Sequence, residues 1–237
     1  MYEMATQVTY SRVKSNLKTD MAAITHYFQD CAICHSESVG KGLHDVEVNG
    51  KAWFLSGWQI EVLRYPEFNE AITVRTWAHG FKGINGYRNF DILDIEGEQI
   101  VRANSIWIFM DLKNLRPMKP GPEDLVGYNI ESAIDMDYAP RKIQIMEDAY
   151  RKKEMEDNTA ILVKKSFLDS NLHVNNGRYV EVAMDFLPQN IKKMRVDYRK
   201  AATLGDVMHP FVYEKDGCSQ VVFYDKDRLP FVIIETL

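Results

Sequence analysis

Apolar and polar positions along this chain follow a helical rhythm first and a strand rhythm after it. From Asp20 to Glu37 (DMAAITHYFQDCAICHSE), Ala23, Tyr27, Cys31 and Cys34 fall on one stripe with Ile24 and Phe28 beside it. That spacing predicts a buried helix. Runs rich in aromatic and β-branched residues follow, beginning at Trp53 (WFLSGWQIEVLRY), Ala71 (AITVRTWAHGF), Gly86 (GYRNFDILDI) and Gln99 (QIVRANSIWIFMDL). Their partial alternation, punctuated by Pro66, Asn69 and Gly97, predicts a meander of antiparallel strands. Gly80, Gly83 and Gly86 lie between two of these runs with no helix after them, so they read as a hairpin turn and not as a phosphate loop.

From Lys113 to Asn158 the pattern breaks. Pro117, Pro120, Pro122 and Pro140 and the charged stretch EDAYRKKEMEDN mark a linker with room for a short helix. The plan then repeats on a smaller scale. A strand over 160–168 leads to a helix running to about Leu187, which Pro188 helps to end, and strands follow over 192–200, 206–214, 218–225 and 230–236. The reading is therefore α+β: one helix against an antiparallel sheet, done twice.

Between the strand at 160–168 and its helix the sequence reads SFLDSNLHVNNGRYV, residues 166–180. Asp169, Asn171, His173 and Asn175 stand two apart, and on an extended chain they would share one side. They would meet at a helix start, where free N–H groups at Asn175 and Asn176 can hold an oxyanion while the imidazole activates a water. Such a set suits hydrolysis of an acyl group. The plainer reading makes Asn175-Asn176 only an N-cap. What favours chemistry is the company of His173, since imidazole as a side-chain type suits acid–base work near neutrality.

Composition narrows the class. With 237 residues, 46% hydrophobic and 27% charged, the chain is an ordinary globular protein large enough for two modest domains. A net charge of -5 argues against general nucleic-acid binding. The absence of a long apolar run or a signal-like start, with three cysteines, points to a cytoplasmic protein without a disulfide framework. Cys31-Ala32-Ile33-Cys34-His35 formally matches a haem-attachment motif but sits in the apolar stripe of the first helix, and no second zinc-ligand pair accompanies it. His26, His35, His44, His79 and His209 show no metal-ligand spacing, so neither metal nor cofactor is expected.

At these residues the chain resembles the acyl-acyl carrier protein thioesterases of plants and bacteria. The likeness runs through Ser38-Val39-Gly40, Tyr65-Pro66, Thr76-Trp77, Arg102 to Trp107 and, most specifically, Asp169-x-Asn171-x-His173-Val174-Asn175-Asn176-x-x-Tyr179. It implies two tandem hotdog domains, each a long helix wrapped by a curved antiparallel sheet: residues 1–135 holding the acyl chain, a linker over 136–157, and 158–237 carrying the motif. The implied reaction is hydrolysis of a fatty acyl-acyl carrier protein in fatty acid biosynthesis, in a bacterial-type cytosol. His173 and Asn171 correspond to the family's catalytic pair and Asp169 to the aspartate ahead of them.

Two departures accompany the match. Plant members carry Glu-Cys where Ala201-Ala202 align, and Val182 stands at or near a tryptophan often found on the motif helix. Glu181 and Asp185 are the acids nearest to hand. Lys192, Lys193, Arg195, Arg199 and Lys200 form a basic run that could steer an acidic carrier protein, or could be a solvated strand face. Trp53, Trp58, Trp77 and Trp107 read as core or as acyl-tunnel lining. An acyl-CoA thioesterase and a non-catalytic acyl-binding hotdog protein are the alternative functions, a hotdog dehydratase a more distant one. Acyl chain length, and whether the protein is a monomer or a homodimer, stay open at this level.

Overall fold

The computed structural model describes residues 1–147, 149, 151–154 and 159–237, with 151–154 described by backbone alone. The chain divides into two compact units, Met1–Ala139 and Pro140–Leu237.

Unit 1 comprises β1 (Tyr2–Gln7), α1 (Met21–Ser38), α2 (Leu43–Asn49), β2 (Lys51–Val62), β3 (Ala71–Lys82), β4 (Asn85–Leu93), β5 (Gln99–Asp111), β6 (Arg116–Pro117) and α3 (Pro122–Leu125). Its strands pair antiparallel in the order β1-β3-β4-β5-β2, with β6 folded onto β5. Asp20 starts α1 by accepting the Ala23 N–H at 2.8 Å, the usual N-cap arrangement. The apolar stripe then lies on the sheet: Phe28 packs against Phe90 and Trp58 at centroid distances of 5.0 and 5.8 Å. Burying Phe28 completely contributes about 2–3 kcal/mol. The glycine-rich stretch is a hairpin, closed at Gly83 with φ +62°, and Gly86 lies so close under Trp53 that a Cβ there would come within 2.9 Å of the ring.

Unit 2 comprises β7 (Arg151–Glu154), β8 (Ile161–Leu162), α4 (Asn176–Ala183), β9 (Lys193–Tyr198), β10 (Val207–Lys215), β11 (Cys218–Tyr224) and β12 (Pro230–Thr236). Its antiparallel order is β9-β12-β11-β10-β7, and β8 pairs with the start of β10. A core of Ile143, Phe211, Tyr213, Val222, Tyr224 and Ile233 covers one face, and α4 packs against β12.

Several expectations need correction. The strand expected over 160–168 is only Ile161–Leu162, followed by a 3-10 turn at Lys165–Phe167. The helix expected to run to Leu187 ends at Ala183 after eight residues, so the second helix is short. The N-terminal strand β1 and helix α2 were not anticipated.

The segment read as a linker over 136–157 is largely structured where it is described; its residues Asp148, Tyr150 and 155–157 lie outside the described set, and so does Asn158 of the charged stretch. In unit 1, residues 130–139 lie across the sheet. The Trp77 indole donates to the Ser132 carbonyl at 2.9 Å, the Ile134 N–H donates to Asn89 Oδ1 at 3.1 Å, and the Ala139 N–H donates to Gln59 Oε1 at 2.9 Å. In unit 2, the Ile143 N–H donates to Asp197 Oδ2 at 3.0 Å and the Met146 N–H to Gln220 Oε1 at 3.1 Å. Where a short helix had room, Arg151–Glu154 pairs as a strand with β10.

Candidate active site

The polar motif enters unit 2 as a tight turn and not as an extended strand. Leu168 and Val174 bridge across it, the Asp169 N–H donates to the His173 carbonyl at 2.8 Å, and the Leu172 N–H donates back to the Asp169 carbonyl at 3.1 Å. Leu172 holds the left-handed conformation at φ 59° that reverses the chain. Asp169 Oδ1 accepts the N–H groups of Asn171 (2.8 Å) and His173 (3.3 Å). The aspartate is thus the organiser of the turn, as an Asx side chain commonly is. Asn171 is exposed at the turn with its amide unpartnered among the described residues, and His173 is half-buried.

A second strand segment fixes the turn in place. His173 pairs with Thr203, and the Val174 N–H donates to the Ala202 carbonyl at 2.9 Å. Ala201-Ala202 therefore stand beside the histidine, with methyl side chains that supply no acid or thiol. The buried Ala202 N–H donates to the Tyr179 hydroxyl at 2.9 Å, which takes over where the chain turns away into α4. Burial holds the Tyr179 hydroxyl above its usual range. The Tyr198 hydroxyl donates to the Asn176 carbonyl at 2.9 Å, so two tyrosines tie down the helix start. Tyr179 was visible only as the last residue of the motif; its partnership with a backbone N–H beyond position 200 leaves no pattern in sequence.

The helix start itself is largely capped from within. Asn175 Oδ1 accepts the Gly177 N–H at 2.9 Å, while the N–H groups of Asn175 and Arg178 donate to Phe167 and Asn175 carbonyls. The N-cap reading therefore accounts for the Asn175 side-chain oxygen and backbone N–H, and leaves its side-chain Nδ2 as the donor an oxyanion could use. Asn176 keeps its N–H and amide unpartnered among the described residues. Glu181 pairs with Arg178 at 2.8 Å.

The basic run is not one free surface. Arg195 pairs with Glu235 at 2.9 Å and Arg199 with Asp197 at 2.6 Å, each also donating to a carbonyl of residues 140–143. Lys200 pairs with Asp225 at 2.6 Å. These three side chains make ion pairs within unit 2, while Lys192 and Lys193 are exposed.

Residues 1–128 match the family model of the acyl-ACP thioesterase N-terminal domain, and residues 150–226 match that of the C-terminal domain. The chain belongs to the acyl-ACP thioesterase family. Among this family's curated members, a chloroplastic dodecanoyl-[acyl-carrier-protein] hydrolase of Cinnamomum camphora is 25% identical over 223 residues, 85% of this chain and 56% of that protein. A chloroplastic palmitoyl-acyl carrier protein thioesterase of Arabidopsis thaliana is 24% identical, over 79% of this chain and 49% of that protein. The chain thus spans about half the length of the curated relatives it matches. Among solved structures, an acyl-ACP thioesterase from Bacteroides thetaiotaomicron superposes with a TM-score of 0.87 at 22% identity, covering 99% of this chain and 96% of that one. The 12:0-ACP thioesterase of Umbellularia californica does so at 0.83 and 18%, covering 99% and 95%. Both share the hotdog fold of the acyl-ACP thioesterases with this chain. No helix among the described residues is long and apolar enough to cross a membrane.

Proposed function

We propose that this protein hydrolyses fatty acyl-acyl carrier protein thioesters to free fatty acid and the holo carrier protein, as a step of fatty acid biosynthesis. The observation that carries the reading is the motif turn of a chain whose two halves match the two domains of one thioesterase family. His173 acts as the base that deprotonates a water, Asn171 holds that water with its unpartnered amide, and Asp169 fixes the main chain that presents both. The Asn176 N–H is the donor for the oxyanion. A thiolate leaves without help from a strong acid because a thiol pKa is about 8.5, so alanines at 201 and 202 do not stop the reaction.

Lys192 and Lys193 are the residues we assign to an acidic carrier protein. Cys31, Cys34 and Cys218 are free thiols, which suits a reducing cytosol.

Thiol release from matched acyl-carrier-protein and acyl-CoA substrates tests the proposal. We expect turnover on the carrier-protein substrate, and a fall of roughly 10²- to 10⁴-fold in kcat for His173→Ala. Full rate in that variant refutes the site, and preference for acyl-CoA refutes the substrate class. Lys192→Glu with Lys193→Glu should raise KM for the carrier-protein substrate alone; an unchanged KM removes the docking assignment.

A further inference from the structure

Arg88 lies on β4 facing α1 and is only 9% exposed. Its Nη1 donates to His35 Nδ1 at 2.8 Å and to Thr76 Oγ1 at 3.1 Å, and the Tyr128 ring lies 5.5 Å from the guanidinium. None of these supplies a countercharge. Burial, with Arg88 itself, holds His35 down to about 4, and burial holds the Tyr128 phenol above its usual range. Cys31, the nearby thiol, is pushed up to about 12 by burial. No carboxylate pairs with Arg88 among the described residues, and neither Nε nor Nη2 takes part in its hydrogen bonds.

Three other arginines of unit 1 are treated differently. Arg75 meets Asp91 at 2.6 Å, Arg102 meets Glu61 at 2.6 Å, and Arg64 meets Glu70 at 2.7 Å. All three are more exposed than Arg88 and need an acid less, since a buried charge is ordinarily paired. Arg88 Nε and Nη2 are not completely sealed from solvent, although the residue as a whole is nine-tenths buried. A second donor without an acceptor lies on the same cross-strand row. Arg88 pairs with Ser105 and Ser105 with Trp58, and the buried Trp58 Nε1 has no partner. Phe28 and Phe90 against the Trp58 ring make the surroundings apolar.

We propose that the α1-facing side of unit 1 binds an aliphatic carboxylate, held by the Nε and Nη2 edge of Arg88 in the forked geometry that guanidinium and carboxylate share. The choice of an alkyl chain rests on the acyl-thioester reading above; the choice of a carboxylate rests on Arg88. Two sources present this chemistry: the free fatty acid released by the reaction, and the distal carboxylate of a dicarboxylic acyl chain.

Calorimetric titration of the full chain with dodecanoate and with dodecan-1-ol tests the proposal without any turnover. Dodecanoate should bind at least about tenfold more tightly than the alcohol, and Arg88→Met should abolish that difference while the alcohol still binds. Arg88→Lys keeps the charge and loses the fork, so it should lie between the two. It also keeps the test open if Arg88→Met does not fold. Equal binding of acid and alcohol by the native protein, or equal losses for both ligands in Arg88→Lys, overturns the proposal and makes Arg88 a structural residue.

The source is separated kinetically. Relief of dodecanoate inhibition in the Arg88 variants identifies the free acid, whereas a drop in the kcat/KM ratio of an ω-carboxy acyl thioester over the plain one identifies the distal carboxylate. A protein that binds dodecanoate through Arg88 yet hydrolyses no thioester refutes the hydrolase reading alone. An active protein indifferent to the carboxylate refutes this one alone.

Discussion

Asp169 is where the sequence pattern and the structure assign different physical roles to the same residue. Polar residues two apart read as one face of a strand, but the same spacing is met by a turn whose reversal depends on Leu172 at φ 59°, a conformation that a leucine does not advertise. The carboxylate faces the main chain, accepting the N–H groups of Asn171 and His173. An amide oxygen can accept the same bonds, if more weakly than a carboxylate oxygen. Asp169→Asn should therefore keep kcat within about tenfold of the native value, whereas Asp169→Ala, which releases the turn, should lose far more. If Asn and Ala variants lose equally, the negative charge itself matters and the role is electrostatic. The candidate site is legible as a pattern of residue types and spacing. Its supports are not: the Tyr179 hydroxyl on the Ala202 N–H, and the pairing of His173 with Thr203, join positions more than twenty residues apart.

At the scale of elements, the strands that bury one face were readable and the segments that borrow their order from elsewhere were not. β3, β4, β5 and β9 to β12 carry their own alternation, and Asp20 marks the start of α1 as an N-cap. β1, with every second residue half-buried, carries a weak signal, and β8 is two residues long. The proline-broken stretch between the units looked like a linker because its partners are side chains from distant strands. Asn89 shows the dependence most clearly. It is fully buried, accepts the Ile134 N–H at 3.1 Å and meets the Tyr138 hydroxyl at 3.2 Å. Asn89→Ala leaves the Ile134 N–H and a strand carbonyl to find other partners, a loss of about 1–3 kcal/mol. Thermal unfolding should show it as a Tm lowered by roughly 2–10 °C, with protection of the Ile134 amide lost first in hydrogen exchange. An unaltered Tm would mean that residues 130–139 are held by Gln59 and Arg102 instead.

For the molecule as a whole, the dependence of stability on pH follows from a histidine that folding keeps neutral. His35 is 4% exposed, stacks on Tyr2, meets Tyr128 edge-on, and accepts from Arg88; burial, then Arg88, then the chain's N-terminal ammonium lower it from 6.5 to about 4. Burial holds Cys31 on the same helix as a thiol, and among the described residues nothing raises the His35 ring. His79 on β3 is lowered in the same sense by its burial. The unfolded chain therefore binds a proton at His35 before the folded chain does. The stabilisation is complete above about 6.5, falls as pH drops through the interval from 6.5 to 4, and changes no further through this residue below it. Within the interval the slope approaches one proton, about 1.4 kcal/mol per pH unit. Replacing the imidazole by the non-titrating amide in His35→Gln should flatten this part of the curve relative to the native protein, whatever the variant's absolute stability. Denaturant unfolding of both proteins between pH 4 and 8 measures the difference. Parallel curves would show that His35 exchanges its proton equally in the two states.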